Sequence, residues 1–290
     1  MTNAYKKSIK SAISDEPVNT YLVRPLAWIF VRLIYRTPIT PNQVTVLAIL
    51  IGLGAAVLYR LSPNGSTALA GLCLFLKDVV DSADGQLARV KELSSRAGRF
   101  LDSIGDFVVN LAVFAAITMA LYDSNSDVTV LFLGALAFAG TTLRISYHVF
   151  YHTSFLHLQN TYSTNRLTEE IREEDLSLDR LTMRLQQVFQ MVYGWQDRWM
   201  AQLDGWCRRG NAPSAMQSER WYGDLVGLRM TGIMGLGTEL FLLTVLSLIG
   251  RLDLYLWINV TGLNGLWFFS VVYRRWVLAP SAGLGGRAAK

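Results

Sequence analysis

Charged residues are scarce in this sequence. Lys, Arg, Asp and Glu make up 17% of its 290 residues, whereas soluble domains usually contain about 25%. Hydrophobic residues reach 51%, and eight tryptophans and 12 tyrosines add the aromatic content that is typical of membrane interfaces. The composition therefore predicts a membrane protein and argues against one or two soluble domains of the same total length.

Cysteine is also scarce, with Cys73 in an apolar run and Cys207 in a more polar segment. Two such residues indicate neither a disulfide framework nor a zinc site. The N-terminus lacks the short apolar run and small-residue cleavage site of a signal peptide, so we expect none. The net charge of +5 is interpreted as loops that face anionic membrane lipid, and we expect no nucleic-acid partner.

Six segments have the length and apolar content of membrane-spanning helices, which need roughly 20 residues. They cover approximately Val44–Tyr59, Thr67–Ala88, Phe100–Tyr122, Val128–Tyr151, Leu225–Ile249 and Leu254–Tyr273. The second and third are unusually polar, which marks them as the candidate functional region. The sequence thus predicts an all-α fold, an integral-membrane bundle of six helices.

Basic residues predict the orientation of these spans. They concentrate in the N-terminal stretch, in the loops after spans 2 and 4, and at the C-terminus, while the other loops are short and poor in base. Because basic loops stay on the cytoplasmic side, we expect both termini and the active site to face the cytoplasm.

The predicted plan of the chain has five parts. Residues 1–43 form a cytoplasmic N-terminus, in which Pro25–Tyr35 is apolar but too short to span and is expected to lie at the membrane interface. Residues 44–152 carry spans 1–4 and the candidate site, residues 153–224 a helical cytoplasmic insertion, residues 225–276 spans 5 and 6, and residues 277–290 a flexible tail.

The insertion contains apolar residues that recur every three or four positions. They are Leu178, Leu181, Leu185, Val188, Val192, Trp195, Trp199, Leu203 and Trp206. This spacing predicts a helix with one apolar face. That face would pack on the rest of the protein or on the membrane surface; alternatively, it would form a coiled-coil contact with a second copy of the chain, which makes a homodimer a candidate assembly.

Four carboxylates, Asp81, Asp84, Asp102 and Asp106, lie in predicted spans 2 and 3. Each charge there costs at least about 2.5–3.5 kcal/mol on insertion scales, so something positive must compensate. Each pair shares one helical face, and a short loop lets the two faces converge. Oxygen ligands of this kind favour Mg²⁺, Mn²⁺ or Ca²⁺. An intramembrane acidic cluster is also typical of a cation transporter, which is the alternative function.

The segment Asp81–Asp106 resembles the signature of the CDP-alcohol phosphotransferase family, also called CDP-alcohol phosphatidyltransferases. The match covers every fixed position of that signature: Asp81, Asp84, Gly85, Ala88, Arg89, Gly98, Asp102 and Asp106. From residue frequencies, the chance of such a match is about 10⁻¹⁰ per starting position. The segment Thr40–Thr45, before the first span, is also similar to the family.

The resemblance implies an enzyme that moves a phosphate-linked group from a CDP-linked donor, here expected to be CDP-diacylglycerol, to a hydroxyl with release of CMP. It implies two Mg²⁺ or Mn²⁺ ions held by Asp81, Asp84, Asp102 and Asp106, with Asp106 also the candidate catalytic base. The implied donor-binding residues are Asn42, Thr45, Gly85, Ala88, Arg89 and Gly98.

Two arginines, Arg144 and Arg229, lie near the cytoplasmic ends of predicted spans 4 and 5. One interpretation makes them anchors that reach the membrane interface. The other makes them a bidentate site for the phosphate of a phosphorylated acceptor. The second interpretation is the working prediction for the acceptor.

Overall fold

A computed structural model describes residues 16–61, 67–159, 179–210 and 215–278, and every regular element in these ranges is a helix. A π-helical turn at Asn19–Val23 leads into α1, Arg24–Ile34. The next helices are α2, Pro41–Leu61; α3, Thr67–Val90; α4, Arg96–Asn125; and α5, Val128–Leu158. The all-α prediction is confirmed.

The second half of the chain has shorter helices. They are α6, Arg180–Cys207; α7, Ala215–Tyr222; α8, Leu225–Gly232; α9, Leu236–Leu248; α10, Leu252–Trp257; and α11, Asn264–Tyr273. A π-helical segment at Ile258–Leu263 joins α10 to α11, and another at Arg274–Leu278 continues α11. Parts of the predicted insertion, residues 160–178 and 211–214, and the predicted tail beyond residue 278 lie outside the described residues.

Five helical stretches among the described residues are long and apolar enough to cross a membrane. They are Pro41–Leu61, Arg96–Ser124, Val128–Leu158, Gln217–Leu248 and Leu252–Leu278. Between 22% and 61% of the apolar part of each is buried inside the protein, which leaves broad apolar surfaces outside. In water such surfaces would be costly, whereas in lipid they are expected. The protein is therefore an integral membrane protein.

Helix α3 is long enough to cross a membrane, at about 36 Å for its 24 residues, but it is too highly charged to count among the apolar stretches. Its C-terminal half carries charged side chains at Lys77, Asp78, Asp81, Asp84 and Arg89. The helix packs against α1, α2 and α9. Three of these five charged residues, Asp81, Asp84 and Arg89, are ones that the sequence marks as candidate site residues.

Helix α2 holds α3 and α4 in place by packing against both. At Gly52 of α2, a Cβ atom would lie 2.6 Å from Val109 Cγ1 of α4 and 3.2 Å from Lys77 Cγ of α3. A similar close approach joins α3 to α9, where a Cβ at Gly71 would lie 2.7 Å from Ser247 Cβ. Glycine is needed at both places because any side chain would push the helices apart.

Helix α1 contacts the bundle through one face. Ala27, Val31 and Ile34 are buried in a cluster that includes Val79 and Ala83 of α3. On its other side, α1 exposes apolar residues, among them Ile29 and Leu33. The helix is therefore amphipathic in the way that the interfacial prediction requires, and its depth in a membrane stays a prediction.

Candidate active site

Three aspartates from two helices meet at the centre of the site. Asp81 of α3 and Asp102 and Asp106 of α4 each place one carboxylate oxygen within 4.8 Å of the other two. Hereafter these three residues are called the acidic cluster. The Asp81 and Asp106 side chains are only 17% and 19% exposed. Three carboxylates at this spacing and burial repel one another unless a cation lies among them.

Lys77 supplies part of that positive charge. Its ammonium group donates to Asp106 Oδ1 and lies 3.4 Å from Asp81 Oδ2, and its side chain is 1% exposed. One ammonium balances one carboxylate of the three. Sequence reasoning missed this role, although Lys77 stands four residues before Asp81 and therefore on the same helical face.

The acidic cluster fits a divalent cation. Asp102 Oδ1 is buried and makes no hydrogen bond to any residue that the structure describes, and such an atom costs about 1–3 kcal/mol if nothing binds it. Oxygen-only ligation suits Mg²⁺ or Mn²⁺. The excess negative charge and the unsatisfied oxygen both favour a bound cation.

Asp84 occupies a different position from the acidic cluster. Its side chain is buried, and its Oδ2 accepts a hydrogen bond from the hydroxyl of Thr45, near the start of α2. Asp84 lines the same cavity as the acidic cluster. The structure thus places two predicted site residues, Thr45 and Asp84, in direct contact across 39 positions of sequence.

A cavity of about 400 Å³ opens beside the acidic cluster, a size that suits a small molecule or the head of a larger one. Its lining includes these predicted residues: Asp81, Asp84, Gly85, Arg89, Asp102 and Asp106. Sequence reasoning did not assign the other polar and aromatic residues of the lining to the site, among them Glu16, Asn19, Arg24, His148, Tyr193 and Asp197. They come from three distant segments and share no motif, so no local pattern could have grouped them.

The remaining predicted donor residues, Asn42, Ala88 and Gly98, are not part of the cavity lining. Asn42 and Gly98 touch: a Cβ at Gly98 would lie 2.7 Å from Asn42 Oδ1, and the Gly98 amide donates to Ser95 Oγ at 3.0 Å. This contact brings the first turns of α2 and α4 together. Ala88 is partly exposed one residue before Arg89, near the end of α3.

Helix α6 forms one wall of the cavity. The Tyr193 hydroxyl donates to the Ser103 carbonyl at 2.7 Å, and its ring contacts those of Phe107 and Phe189, with centroids 6.1 and 4.9 Å away. Burial, and then the negative charges of Asp106 and Asp102, raise the pKa of Tyr193 well above its usual value. Tyr193 is therefore a neutral phenol, and its contacts with Ser103 and Phe107 hold α6 against α4.

The two arginines predicted to bind an acceptor lie outside the cavity lining. Arg144 is fully buried, and its guanidinium donates to Glu239 Oε2 at 2.9 Å, to Thr141 Oγ1 at 3.0 Å and to the side chain of Asn264. Arg229 is exposed on α8. This geometry gives the acceptor prediction no support, because Arg144 is already engaged by a carboxylate inside the bundle.

Comparison with known proteins identifies the family. Residues 38–194 match the sequence model of the CDP-alcohol phosphatidyltransferase family. This region contains the complete acidic cluster together with Asn42, Thr45, Asp84 and Arg89, and it ends within α6.

Curated relatives are similar over shorter stretches. The bifunctional IPC transferase and DIPP synthase of Aquifex aeolicus is 38% identical over 85 residues, which are 29% of this chain and 19% of that protein. The protein of the same name from Thermococcus kodakarensis is 33% identical over 109 residues, 38% of this chain and 23% of that protein. The phosphatidylinositol phosphate synthase of Corynebacterium glutamicum is 30% identical over 126 residues, 43% of this chain and 55% of that protein. The matched parts of this chain thus span about a fifth of the bifunctional proteins and about half of the synthase.

Proposed function

The chain belongs to the CDP-alcohol phosphatidyltransferase family, and on this premise we propose that it transfers a phosphatidyl group from CDP-diacylglycerol to the hydroxyl of a small water-soluble acceptor, with release of CMP. The observation that carries the proposal is the meeting of Asp81, Asp102 and Asp106 beside one cavity of a membrane-embedded bundle. A lipid donor suits this position, since its acyl chains can remain in the bilayer while its pyrophosphate reaches the carboxylates.

The proposed arrangement has six spans, which are the five apolar stretches and α3. Both termini lie in the cytoplasm. Two observations support α3 as a span: it is about 36 Å long, and Val79, Ala83 and Leu87 in its charged half pack in one cluster with residues of α1 and α2. An even number of spans agrees with the basic residues at both ends of the chain. A cysteine introduced at the exposed Arg209 should be shielded from an impermeant reagent in intact cells, and ready labelling from outside would contradict this orientation.

Divalent cations are part of the proposal. Asp81, Asp102 and Asp106 would hold Mg²⁺ or Mn²⁺, with Asp84, positioned by Thr45, as the fourth ligand. When bound, the ions neutralise the donor pyrophosphate and stabilise the departing CMP. Arg89, in the cavity lining at the end of α3, is suited to contact a donor phosphate through paired N–H groups.

Asp106 is the proposed base for the acceptor hydroxyl. It lines the cavity next to Ser103 and is followed along α4 by Phe107 and Asn110, so the acceptor would approach along this side of the helix. The Lys77 ammonium donates to Asp106 Oδ1 and orients the carboxylate. Asp106→Asn should therefore retain binding of CDP-diacylglycerol and lose transfer. If it loses donor binding as completely as Asp81→Asn, Asp106 is only a ligand.

The decisive experiment is an assay of the purified protein in detergent or vesicles. CDP-diacylglycerol is supplied with one acceptor at a time, for example glycerol, serine, inositol, glycerol phosphate or inositol phosphate, and CMP release is measured. We expect CMP with at least one acceptor and with an equal amount of new phospholipid. If no acceptor yields CMP while the reconstituted protein carries Mg²⁺ across vesicle membranes, the transporter alternative replaces the enzyme.

A further inference from the structure

The apolar face that the sequence predicts for α6 is turned away from the protein. The face that packs inward is made mostly of small and polar residues, among them Gly194, Gln196 and Asp204, together with the buried Met200. Gln196 accepts a hydrogen bond from Ser146 of α5. Asp204 accepts from the Tyr151 hydroxyl at 2.9 Å and from the Trp221 indole at 2.8 Å. These buried polar contacts decide which side of α6 faces the bundle.

Five large apolar residues form an outer stripe on α6: Leu181, Val188, Trp195, Trp199 and Trp206. All five are exposed, including Val188 at 41% and Trp195 at 50%. At about 100° per residue, they fall within about 40° of arc around the helix. An exposed stripe of this size is costly in water and marks an interaction surface.

A polar flank runs beside the outer stripe. Its exposed polar residues are Arg180, Arg184, Gln187, Arg198 and Gln202, centred about 70° from the stripe. The exposed side chain of Met191 lies among them. An apolar stripe rich in Trp beside a flank rich in Arg is typical of a helix that lies in a membrane interface. The arginines complement the negative charge of anionic headgroups.

The outer stripe continues the lipid-facing surface of the last apolar stretch, Leu252–Leu278. The ring of Trp199 lies 5.9 Å from that of Trp267, and the Arg275 guanidinium lies 3.8 Å from the ring of Trp206. Next to these contacts, Phe268 and Trp276 are 71% and 69% exposed. Since this part of the surface faces lipid, the adjoining stripe meets the same lipid.

From this continuity we infer that α6 lies in the interfacial layer of the bilayer, with the outer stripe among the upper acyl chains and the polar flank toward the headgroups. The occupant of the stripe is therefore membrane lipid. The opposite side of α6 lines the cavity through Phe189, Tyr193 and Asp197. A consequence, which rests on the proposed function, is that the cavity wall lies at the depth where a lipid donor presents its headgroup.

Neighbouring residues of α6 provide a matched test. Val188 belongs to the stripe and Gln187 to the flank, at the same height on the helix. Each is replaced by Cys in a Cys73→Ala, Cys207→Ala background and labelled with the fluorophore NBD. The protein is then reconstituted in vesicles of phosphatidylcholine and phosphatidylglycerol. Quenching is measured with bromine-labelled acyl chains and with aqueous iodide.

We expect bromolipid to quench the label at Val188 at least about twice as strongly as the label at Gln187, and iodide to show the reverse order. Equal iodide quenching at both positions overturns the inference. Protection of the label at Val188 from both quenchers, with a disulfide between two chains of the unlabelled Val188→Cys variant under oxidising conditions, assigns the stripe to a second copy and also overturns it. Neither measurement depends on CMP release, so this inference and the proposed function can fail separately.

A second measurement needs no cysteine replacement. Bromolipid quenching of intrinsic fluorescence is compared between the unmodified protein and a Trp195→Phe, Trp199→Phe variant. If these two residues face lipid, the variant loses a strongly quenched part of the emission. An unchanged quenched fraction contradicts the inference.

Discussion

Among the buried charges that the structure describes, two groups differ in how completely they are paired. In the first, Arg144 faces Glu239 at 2.9 Å, and Glu239 Oε1 also accepts from the Tyr255 hydroxyl at 2.6 Å and from Asn259. The two charges cancel, and both side chains are at most 3% exposed. In the second, three carboxylates lie together beside a cavity, and the ammonium of Lys77 pairs with those of Asp81 and Asp106.

The difference separates a structural charge from a functional one. A pair whose two charges balance each other needs no bound ion, and its role is to hold helices together. An unbalanced cluster next to a cavity is unfavourable until a ligand binds, so it is expected where chemistry occurs. The sequence alone does not separate structural from functional charges, because Arg144 and the aspartates are all charged residues in predicted spans.

The largest expected effect comes from neutralising the acidic cluster. Asp102→Asn or Asp81→Asn should lower CMP release by at least about 100-fold, since one lost electrostatic contact to a transition state costs about 10²–10³ in rate. The unfolding temperature should not fall, because one buried repulsion is removed. EDTA should silence the unmodified enzyme, and Mg²⁺ or Mn²⁺ should restore it. Full activity in the preparation treated with EDTA would contradict the metal proposal.

Breaking the Arg144–Glu239 pair should lower stability and leave activity nearly unchanged, which is the opposite of the result expected for the acidic cluster. Glu239→Gln leaves the Arg144 guanidinium buried without its counter-charge, which typically costs about 3–5 kcal/mol of stability. Activity per folded molecule should change little. The double variant Arg144→Met, Glu239→Leu should be more stable than the single one, because no uncompensated charge remains.

An exposed pair serves as the control for Glu239. Arg60 and Asp123 lie 2.8 Å apart with their side chains about half exposed, so Asp123→Asn should cost less than about 1 kcal/mol. Denaturant unfolding in detergent measures all of these variants. If Glu239→Gln costs no more than Asp123→Asn, the buried pair does not have the structural role assigned to it.

Replacing Lys77 tests whether the acidic cluster lacks enough positive charge to balance its carboxylates. Lys77→Met removes the ammonium that competes with a metal for Asp81 and Asp106, so half-maximal activity should need about tenfold less Mg²⁺. The maximal rate can fall as well, since Lys77 orients Asp106. A variant that needs the same Mg²⁺ concentration, or more, would show that Lys77 does not compete with the ion.

The smallest expected effect concerns an exposed carboxylate, which contrasts with both buried groups. Asp179 accepts from the amides of Leu181 and Thr182, each at 3.1 Å, and thereby caps α6. Its hydrogen bonds, first that from the Thr182 hydroxyl, lower its pKa below the usual 3.8. Because the folded-state pKa is the lower one, the cap stabilises α6 above pH 3.8 and is lost as pH falls through the folded-state value.

Amide exchange measures this cap. Asp179→Ala should speed exchange in the first turn of α6 at neutral pH, and the difference from the unmodified protein should shrink well below pH 3.8. An equal difference at both pH values would mean that the charged carboxylate is not what stabilises the turn.

The long apolar helices could be predicted because each depends on the length and hydropathy of its own segment. Their ends were less well predicted: α5 continues to Leu158, about two turns beyond the expected Tyr151. The fifth predicted span is divided, because α8 ends at Gly232 and α9 begins at Leu236, after the N-cap residue Gly235. Capping and packing decide such ends, and hydropathy does not record them.

The residues of the candidate site also include some that the sequence could predict and some that it could not. Asp81 and Asp84, and Asp102 and Asp106, could be grouped because three- and four-residue spacing places each pair on one helical face. Glu16, Asn19, His148 and Tyr193 could not be grouped with them, since they reach the cavity from segments far apart in the chain.

The sequence by itself determined the membrane helices, the family signature and the acidic residues of the site, because each is recorded in local composition and spacing. Only the tertiary structure decided which charges are paired and which side of α6 faces outward. The reason is that the deciding partners are remote: Arg144 meets Glu239 across 95 positions, and Ser146 meets Gln196 across 50. A hydrophobic period predicts that a helix has an apolar face, but partners on other helices determine whether that face meets protein or lipid.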